Sequence, residues 1–320
     1  MTTSPTSPRR FFKELRFQQL RALVEVSRLK SFAAAAAELD LATPSVWQQV
    51  RGLEAEFGVE LVRIDGKNVE LTEDGQVLVD AARPIVEGFD SLHDIFAHRT
   101  RSAPKRLVLA STIQLLKHEL GKPLAEFRRR HPEVQLSIID RSSQGARACL
   151  ENGEADMAIA GQFDIEPLAA ITTTRLTAYP FMLMAPTGHR LLSASRVSIK
   201  TIAQQPLVLP SAAANCRSKL DECFRNAGVL HALNVVVDAS NFDLLVDHVI
   251  GGFGICVMSV SPAILKKAEK GDRSLRGIGF RNITRLFGEE TIVLLQRTGR
   301  FEPPHHTAFR ELVEAATKAG

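Results

Sequence analysis

The segment from Ser31 to Phe57 repeats its apolar residues at helical spacing in two short runs. The first run consists of Phe32, Ala35, Ala36 and Leu39, one face of a helix that Ser31 caps. The second run consists of Val46, Val50, Leu53 and Phe57, and Gly58 follows where a helix ends. Thr43 followed by Pro44 indicates the second helix start, because threonine accepts from free amides and proline lacks an N–H that would be unpaired there. The pattern predicts two helices joined by a tight turn.

The second helix turns a polar face away from its apolar residues. On a helical wheel Gln48 points directly away from the apolar arc, with Pro44, Trp47 and Arg51 on one flank and Ser45 and Gln49 on the other. Amide, hydroxyl and guanidinium groups match base edges and phosphates in a major groove. The pattern is typical of a DNA-binding helix-turn-helix, although two amphipathic helices also occur in all-α proteins that never bind DNA.

Two short β-like runs follow, at residues 59–64 and 67–71, around the turn dipeptide Asp65-Gly66. Arg63 and Lys67 lie near the tip of this hairpin, which is the composition of a basic wing beside a recognition helix. An apolar run before the pair of helices, Phe17, Leu20, Leu23 and Val24, predicts a third helix that closes the small core. These segments together predict a winged helix-turn-helix.

One long helix is predicted from Thr72 to about His98, with Thr72 as its cap. Its apolar seam alternates by four and three and consists of Leu78, Ala82, Ile85, Phe89, Leu92 and Phe96. We expect the seam to pack in a dimer coiled coil, with packing on its own domain as the alternative. Pro84 removes one intrahelical hydrogen bond, so a kink is expected there.

Beyond Pro104 the pattern changes to alternating strands and helices. Strands are predicted over residues 106–110, 134–140, 156–160, 181–185, 207–209, 234–238, 254–258 and 291–296. Helices are predicted over residues 115–130, 145–151, 199–204, 217–227, 242–250 and 307–318. This βαβ rhythm predicts a largely parallel sheet arranged in two α/β lobes.

Polar side chains and one glycine recur where the predicted strands end. The candidate ligand residues are Ser111, Thr112, Gln114, Ser142, Ser143, Gly161, Ser211 and Asn241. Ligands of such sheets bind at the carboxyl ends of strands, where helix starts present free amides. Each residue taken alone is more often an ordinary helix cap, but their recurrence, with Arg141 beside them, favours a small anion held between the lobes.

Length and composition add limits to this interpretation. A chain of 320 residues with 45% hydrophobic content favours two folded domains. No apolar run approaches the roughly 20 residues of a membrane span, and the polar N-terminal segment lacks the apolar stretch of a secretory signal. We therefore expect a cytoplasmic protein with no membrane partner. The cysteines, Cys149, Cys216, Cys223 and Cys256, have no metal-binding spacing, so we expect reduced thiols, no metal and no cofactor.

The net charge of +4 does not locate a DNA surface. Residues 1–70 carry ten Lys and Arg against nine Asp and Glu, whereas residues 105–320 carry 27 against 21. The basic excess therefore lies away from the helix-turn-helix. The prediction of DNA binding depends on the local placement of Arg51, Arg63 and Lys67.

From Phe17 to Phe96 the chain resembles the LysR-type transcriptional regulators. The stretches SFAAAAAELDLATPSVWQQVRGLEAEFGVELVR and VELTEDG follow the family's helix-turn-helix, its wing and the LT-x-x-G start of its linker helix. A looser resemblance from Arg106 onward rests on spacing, on GEADMAIA and on IGGFGICVM. The resemblance implies a mainly α/β protein with a winged helix-turn-helix, a long linker helix that forms a coiled-coil dimer, and a two-lobe, periplasmic-binding-protein-like effector domain, commonly assembled as a homotetramer.

The chain departs from the family pattern in the helix-turn-helix. The family usually has a polar residue or an arginine where Ala33 and Ala34 stand, Ser-Gln where Ala42-Thr43 precede the proline, and serine at the position of Trp47. Trp47 has two interpretations, packing on the first helix or lying against sugar or a thymine methyl group.

These observations divide the chain into a polar tail (1–14), a winged helix-turn-helix (15–71), a linker helix (72–98), a hinge (99–104) and an effector domain (105–320). We expect a sequence-specific DNA-binding regulator controlled by a small anionic metabolite. A cytosolic solute-binding protein or an enzyme is one alternative, although no motif in the sequence indicates catalysis. A thiol-redox regulator is another, but Cys216 and Cys223 on one helix lie about 10.5 Å apart along its axis, too far for a disulfide.

Overall fold

The computed structural model describes residues 15–65, 68–99, 105–162 and 171–318. The chain divides into two compact units. One unit contains the chain up to Ala103 together with Arg297–Glu302, and the other contains most of the remainder. The predicted N-terminal tail, Lys67 and most of the predicted hinge lie outside the described residues.

The N-terminal unit is a winged helix-turn-helix followed by a long helix. Its elements are α1 (Phe17–Leu29), α2 (Phe32–Glu38), α3 (Thr43–Phe57), β1 (Val62–Asp65), β2 (Asn68–Leu71) and α4 (Glu73–Arg99). β1 and β2 pair antiparallel as the wing. Ser31 caps α2 by accepting from the amide of Ala34 (3.3 Å), and Gly58 ends α3 with a φ of 70°. The sequence predictions of both helices, their turn and the wing strands are confirmed.

Two details of the helix-turn-helix were predicted wrongly. Thr43 is the first residue of α3 rather than its cap: Ala42 occupies the cap position and makes no side-chain hydrogen bond there. Phe57 is 38% exposed and does not join the core that Val46, Val50 and Leu53 form. The apolar arc of α3 ends one turn early because Glu54, not Phe57, faces the buried wing strands.

The long helix α4 uses two apolar faces. Thr72 caps it by accepting from the amide of Gly75 (3.0 Å), as predicted. Val79, Ala82 and Val86 are buried in the core of the N-terminal unit. Ala82 therefore packs within its own unit, which corrects its assignment to the dimer seam, while Leu78 packs against the edge of the same core. Pro84 lies inside the helix, and the kink stays a prediction.

The C-terminal unit alternates strands and helices. Its strands are β3 (Arg106–Ser111), β4 (Gln135–Asp140), β5 (Met157–Gly161), β6 (Ile171–Pro186), β7 (Pro206–Pro210), β8 (Asn234–Ala239), β9 (Ile255–Ser259), β10 (Ile278–Asn282) and β11 (Glu289–Arg297). Its helices are α5 (Ile113–His118), α6 (Gly121–Arg130), α7 (Ser143–Glu151), α8 (Arg190–Ser193), α9 (Ile199–Ala203), α10 (Asn215–Asn226), α11 (Phe242–Ile250), α12 (Pro262–Glu269), α13 (Thr284–Phe287) and α14 (Pro304–Lys318).

The two lobes have separate hydrophobic cores, and the long strand β6 contributes residues to both. The strand order is β4-β3-β5-β11-β6-β9-β7-β8, with β10 beside β6. β3, β4 and β5 are parallel, as are β7, β8 and β9, whereas β11 runs antiparallel to β5 and β6 runs antiparallel to β9 and β10. On β6, Tyr179 belongs to the first core and Phe181 to the second. The sheet is parallel within each lobe and antiparallel where the chain crosses between lobes.

The predicted helix 115–130 is two helices, α5 and α6. Pro123 in the first turn of α6 has no N–H to donate to the carbonyl of Glu119, so a continuous helix would lose that bond. The strand β10 and the helices α8, α12 and α13 were missed, because short elements carry little periodic signal.

Candidate functional site

The outward face of α3 carries the polar side chains that the sequence predicts. Thr43, Pro44 and Gln48 are exposed, and Ser45 and Gln49 are half-buried. Trp47 is 44% exposed and lies under the guanidinium of Arg51, with 5.1 Å from Cζ to the ring centroid. Trp47 does not belong to the hydrophobic core of the unit, and its ring forms part of the outer surface of the helix.

Arg51 has a partner inside the unit. Its Nη1 donates to Oε2 of Glu54 at 2.6 Å, while Glu54 Oε1 accepts from the backbone amides of Leu61 (2.9 Å) and Val62 (3.3 Å). Glu54 is only 8% exposed. The carboxylate thus joins the recognition helix to the wing, and Arg51 neutralises it from the outer side.

The wing is fastened to the turn between α1 and α2. The amide of Val69 on β2 donates to the carbonyl of Lys30 at 3.0 Å, and Lys30 has a left-handed φ of 51°. Arg63 on β1 is exposed beside this junction. Arg63 therefore lies on β1, and its partner strand β2 is held to the helix-turn-helix by a backbone hydrogen bond.

An apolar stripe remains exposed on α4. Ile85 is 56% exposed, Leu92 55% and Phe96 70%. Phe89 is half-exposed but stacks on Phe17, with ring centroids 4.1 Å apart. A stripe of large apolar side chains on one face of a long helix is the surface that a second helix covers in a coiled coil.

A cavity of about 290 Å³ lies between the two lobes of the C-terminal unit, where the strands end and helices begin. All but one of the predicted ligand residues line it: Thr112, Gln114, Ser142, Ser143, Gly161, Ser211 and Asn241. Ser111 is the exception, because it is fully buried and its hydroxyl donates to the carbonyl of Ile159 at 2.7 Å. Ser111 stabilises the sheet and is not a cavity residue.

Several of these side chains are already engaged as helix caps. Thr112, Ser142 and Asn241 accept from amides in the first turns of α5, α7 and α11. Ser143 accepts from the amide of Gly161 at 3.2 Å, which ties the start of α7 to the end of β5. Arg141 lines the cavity with an exposed side chain whose Nη1 donates to the carbonyl of Asp140.

Four residues that line the cavity were not predicted from the sequence: Tyr179, Asn215, Ser259 and Glu290. Glu290 at the start of β11 accepts at Oε1 from Nδ2 of Asn215 (2.9 Å) and at Oε2 from the hydroxyl of Ser259. Tyr179 is 3% exposed and lines the cavity. Tyr179 is the chain's only tyrosine, which is the one signal in the sequence that pointed to it.

Burial sets the protonation of these groups. Desolvation raises the pKa of the Tyr179 hydroxyl, and the charges of Glu119 and Glu290 add to the rise, so the tyrosine stays neutral. Desolvation also raises the pKa of Glu290, against hydrogen bonds from Ser259 and Asn215 that favour the ionised form. The cavity therefore contains a permanent hydroxyl donor and a carboxyl that gains a proton more readily than an ordinary one.

All four cysteine thiols are free, and burial raises the pKa of each. Cys216 and Cys223 share α10, as predicted. A raised thiol pKa disfavours the thiolate, which is the reactive form in redox chemistry. Among the described residues, no group of three or more His, Cys, Asp or Glu side chains is placed to hold a metal ion, and no helix is long and apolar enough to cross a membrane.

Comparison with known sequences matches both parts of the chain. Residues 17–76 match the family described as "Bacterial regulatory helix-turn-helix protein, lysR family", and residues 101–318 match the "LysR substrate binding domain". The transcriptional regulator Cbl of Escherichia coli is 26% identical, covering 94% of this chain and 93% of its own. The regulator CysB of Burkholderia cenocepacia is 27% identical, covering 95% of this chain and 97% of its own.

Solved structures agree with the architecture. The cofactor-binding domain of the Cbl regulator superposes with a TM-score of 0.58 at 25% identity, covering 67% of this chain and 89% of that domain. Full-length OxyR of Pseudomonas aeruginosa superposes with a TM-score of 0.57 at 19% identity, covering 95% of both chains, which shows a shared fold. The fold, the two family matches and the full-length relatives agree: the chain belongs to the LysR family, as a DNA-binding transcriptional regulator with an effector-binding domain.

Proposed function

We propose that the protein is a homotetrameric regulator that reads its operator through α3 and the wing, and that a small anionic metabolite bound between the two lobes controls it. Gln48 and Gln49 contact base edges, Trp47 lies against sugar or a thymine methyl group, and Arg63 and Lys67 contact phosphates. The exposed face of α3 supports the first part of this proposal.

Two elements of the DNA surface have separate roles in this proposal. Gln48 carries sequence information, because an amide pairs with base edges, whereas Arg63 carries charge. Replacing Arg63 with alanine should weaken binding to all sequences alike and reduce the salt slope by roughly one unit. Replacing Gln48 with alanine should instead change the bases selected from a random pool. An unchanged selection in the Gln48 variant would remove that residue from base readout.

The effector proposal rests on the hydrogen-bond donors that line the interlobe cavity. The hydroxyl of Tyr179 is one of them, and a ligand oxygen that accepts from it adds a hydrogen bond on binding. The starts of α7 and α10 open into the same cavity, and α10 has no side-chain cap on its free amides. Donors on several sides favour a ligand rich in acceptor oxygens, such as a carboxylate or an inorganic oxyanion.

A thermal-shift screen of small anions against the full-length protein tests this proposal. An anion that fits should raise the midpoint of the wild type, and Tyr179→Phe should lower its affinity about tenfold through the loss of one hydrogen bond to a charged group. Ser193→Ala, at the end of α8 and outside the cavity residues, is the matched control. Hits that are apolar, or equal affinity in the Tyr179 variant, would overturn the proposal.

A redox-responsive regulator is the second candidate, and the spacing and burial of the two cysteines on α10 disfavour it. Its two thiols on α10 keep their helical spacing, and burial disfavours the thiolate of each.

A further inference from the structure

The carboxyl of Glu290 lies where an anionic effector is proposed to bind. It lines the interlobe cavity together with the starts of α7 and α10. A Cβ atom added to Gly161 would lie 2.2 Å from Oε1 of Glu290, so the carboxyl presses against the end of β5. Gly161 in turn is bonded to Ser143 at the start of α7. The acidic group and the donors for an anion therefore share one small space.

An anion and an ionised carboxylate in such a space repel each other. This repulsion is screened less in a partly enclosed cavity than in bulk water. It therefore offsets part of the gain from the hydrogen bonds that the anion accepts from neutral donors. A carboxylic acid at the same position has no charge to repel, and it donates a hydrogen bond to the anion instead.

The neighbours of Glu290 make it the group that changes charge. From α10, Cys216 stays a neutral thiol, and the charge of Lys219, whose Nζ donates to the carbonyl of Glu289, lowers the pKa of Glu290. From β6, Tyr179 stays a neutral phenol, with the carboxyl of Glu119 beyond it. Gly161 on β5 and Ser259 on β9 carry no charge, and the cavity is also lined by one acidic residue, Asp140, and one basic residue, Arg141.

We propose that Glu290 takes up a proton from solvent when an anion enters the interlobe cavity, so that the site binds an anion together with a proton. This inference rests on the proposed anionic effector and deepens it: Glu290 selects against anions at alkaline pH and accepts them as a protonated hydrogen-bond donor. Ser259 is a positioning residue, because its hydroxyl bonds the carboxyl and favours the ionised form.

Sulfate is a suitable probe, because it stays a dianion between about pH 5.5 and about pH 8.5, so any proton taken up on binding is gained by the protein and not by sulfate. Its affinity for the full-length protein is measured by calorimetry at several pH values and in two buffers of different ionisation enthalpy, at constant ionic strength. The wild type should lose up to about tenfold in affinity per pH unit in the alkaline range and take up close to one proton per sulfate.

Glu290→Gln should bind sulfate with an affinity that changes less than about twofold over the same range, without proton uptake. Glu289→Gln, the adjacent exposed carboxyl, and Glu119→Gln are matched controls that should keep the wild-type slope. Ser259→Ala is the second variant, should Glu290→Gln fail to fold. It removes a donor to the ionised carboxyl, so the fall in affinity should begin at a higher pH.

The outcomes separate this inference from the proposed function. Binding of sulfate by the wild type with no pH dependence, or an equal slope in Glu290→Gln, overturns the proton uptake and leaves the anionic effector intact. No sulfate binding by the wild type or by Glu290→Gln at any pH overturns both. A slope that is lost in Glu119→Gln instead assigns the proton to that carboxyl and overturns the role of Glu290.

Discussion

Glu54 joins the recognition helix to the wing through hydrogen bonds, and replacing its side chain should destabilise the N-terminal unit selectively. Oε1 of Glu54 accepts from the amides of Leu61 and Val62, and Oε2 accepts from Arg51. Glu54→Ala leaves two buried amides without an acceptor. At about 1–3 kcal/mol for each such group, with partial rescue by water, the free energy of unfolding should fall by about 2–4 kcal/mol.

The single tryptophan of the chain makes this measurable. Trp47 lies on α3, the helix that carries Glu54, and it belongs to the N-terminal unit. Urea unfolding followed by its fluorescence therefore reports that unit, while circular dichroism follows both units; protein concentration is held constant because assembly shifts apparent stability. Glu56→Ala, on the same helix with its half-buried side chain, should change the free energy by less than about 0.5 kcal/mol.

The result that would refute this reasoning is a Glu54→Ala protein whose fluorescence transition coincides with that of the wild type. Operator affinity provides a second measurement. Glu54→Gln keeps one acceptor oxygen for the amides of the wing, so it should lose less operator affinity than Glu54→Ala. Equal losses in the alanine and glutamine variants would show that the amides do not depend on this side chain.

The remaining predictions concern α4. Ile85→Glu places a charge without a partner on the exposed apolar stripe, so the protein should sediment as a smaller species and bind operator DNA more weakly, while a wild-type sedimentation coefficient would contradict a coiled coil through this face. Burial raises the pKa of Glu87 to about 7 against the opposing charges of Arg83 and Arg300, so the folded state keeps its proton to a higher pH than the unfolded chain. The contribution of Glu87 to stability therefore falls as pH rises from about 4.5 to about 7. Glu87→Gln should flatten that loss in urea unfolding followed at successive pH values, and an unchanged pH profile would contradict it.

The N-terminal unit was largely predictable because its signals are local. Caps, a glycine stop and apolar residues three or four apart are set within one or two helical turns, and Ser31, Gly58 and Thr72 behave as their types suggest. The errors arose where a residue serves a distant element. The sequence pattern placed Arg51 on the DNA surface and Phe57 in the core. In the structure, Glu54 accepts from the wing and also from Arg51.

The interlobe cavity shows the limit of prediction from local sequence patterns. The predicted residues at strand ends were found because each follows a strand, and one such residue, Ser111, faces the sheet because the next residue takes the capping role. Tyr179, Asn215, Ser259 and Glu290 meet only through the order of strands β5, β11, β6 and β9, which no spacing in the sequence encodes. Glu290 in particular follows Glu289, and a pair of acidic residues at the start of a strand has the pattern of a solvated turn. Its position in the cavity comes from the pairing of β11 with β5, where the absence of a side chain at Gly161 leaves room for the carboxyl. The chemistry of the cavity therefore follows from topology: Gly161 and Glu290 meet because β11 runs beside β5, and no local spacing in the sequence encodes that pairing.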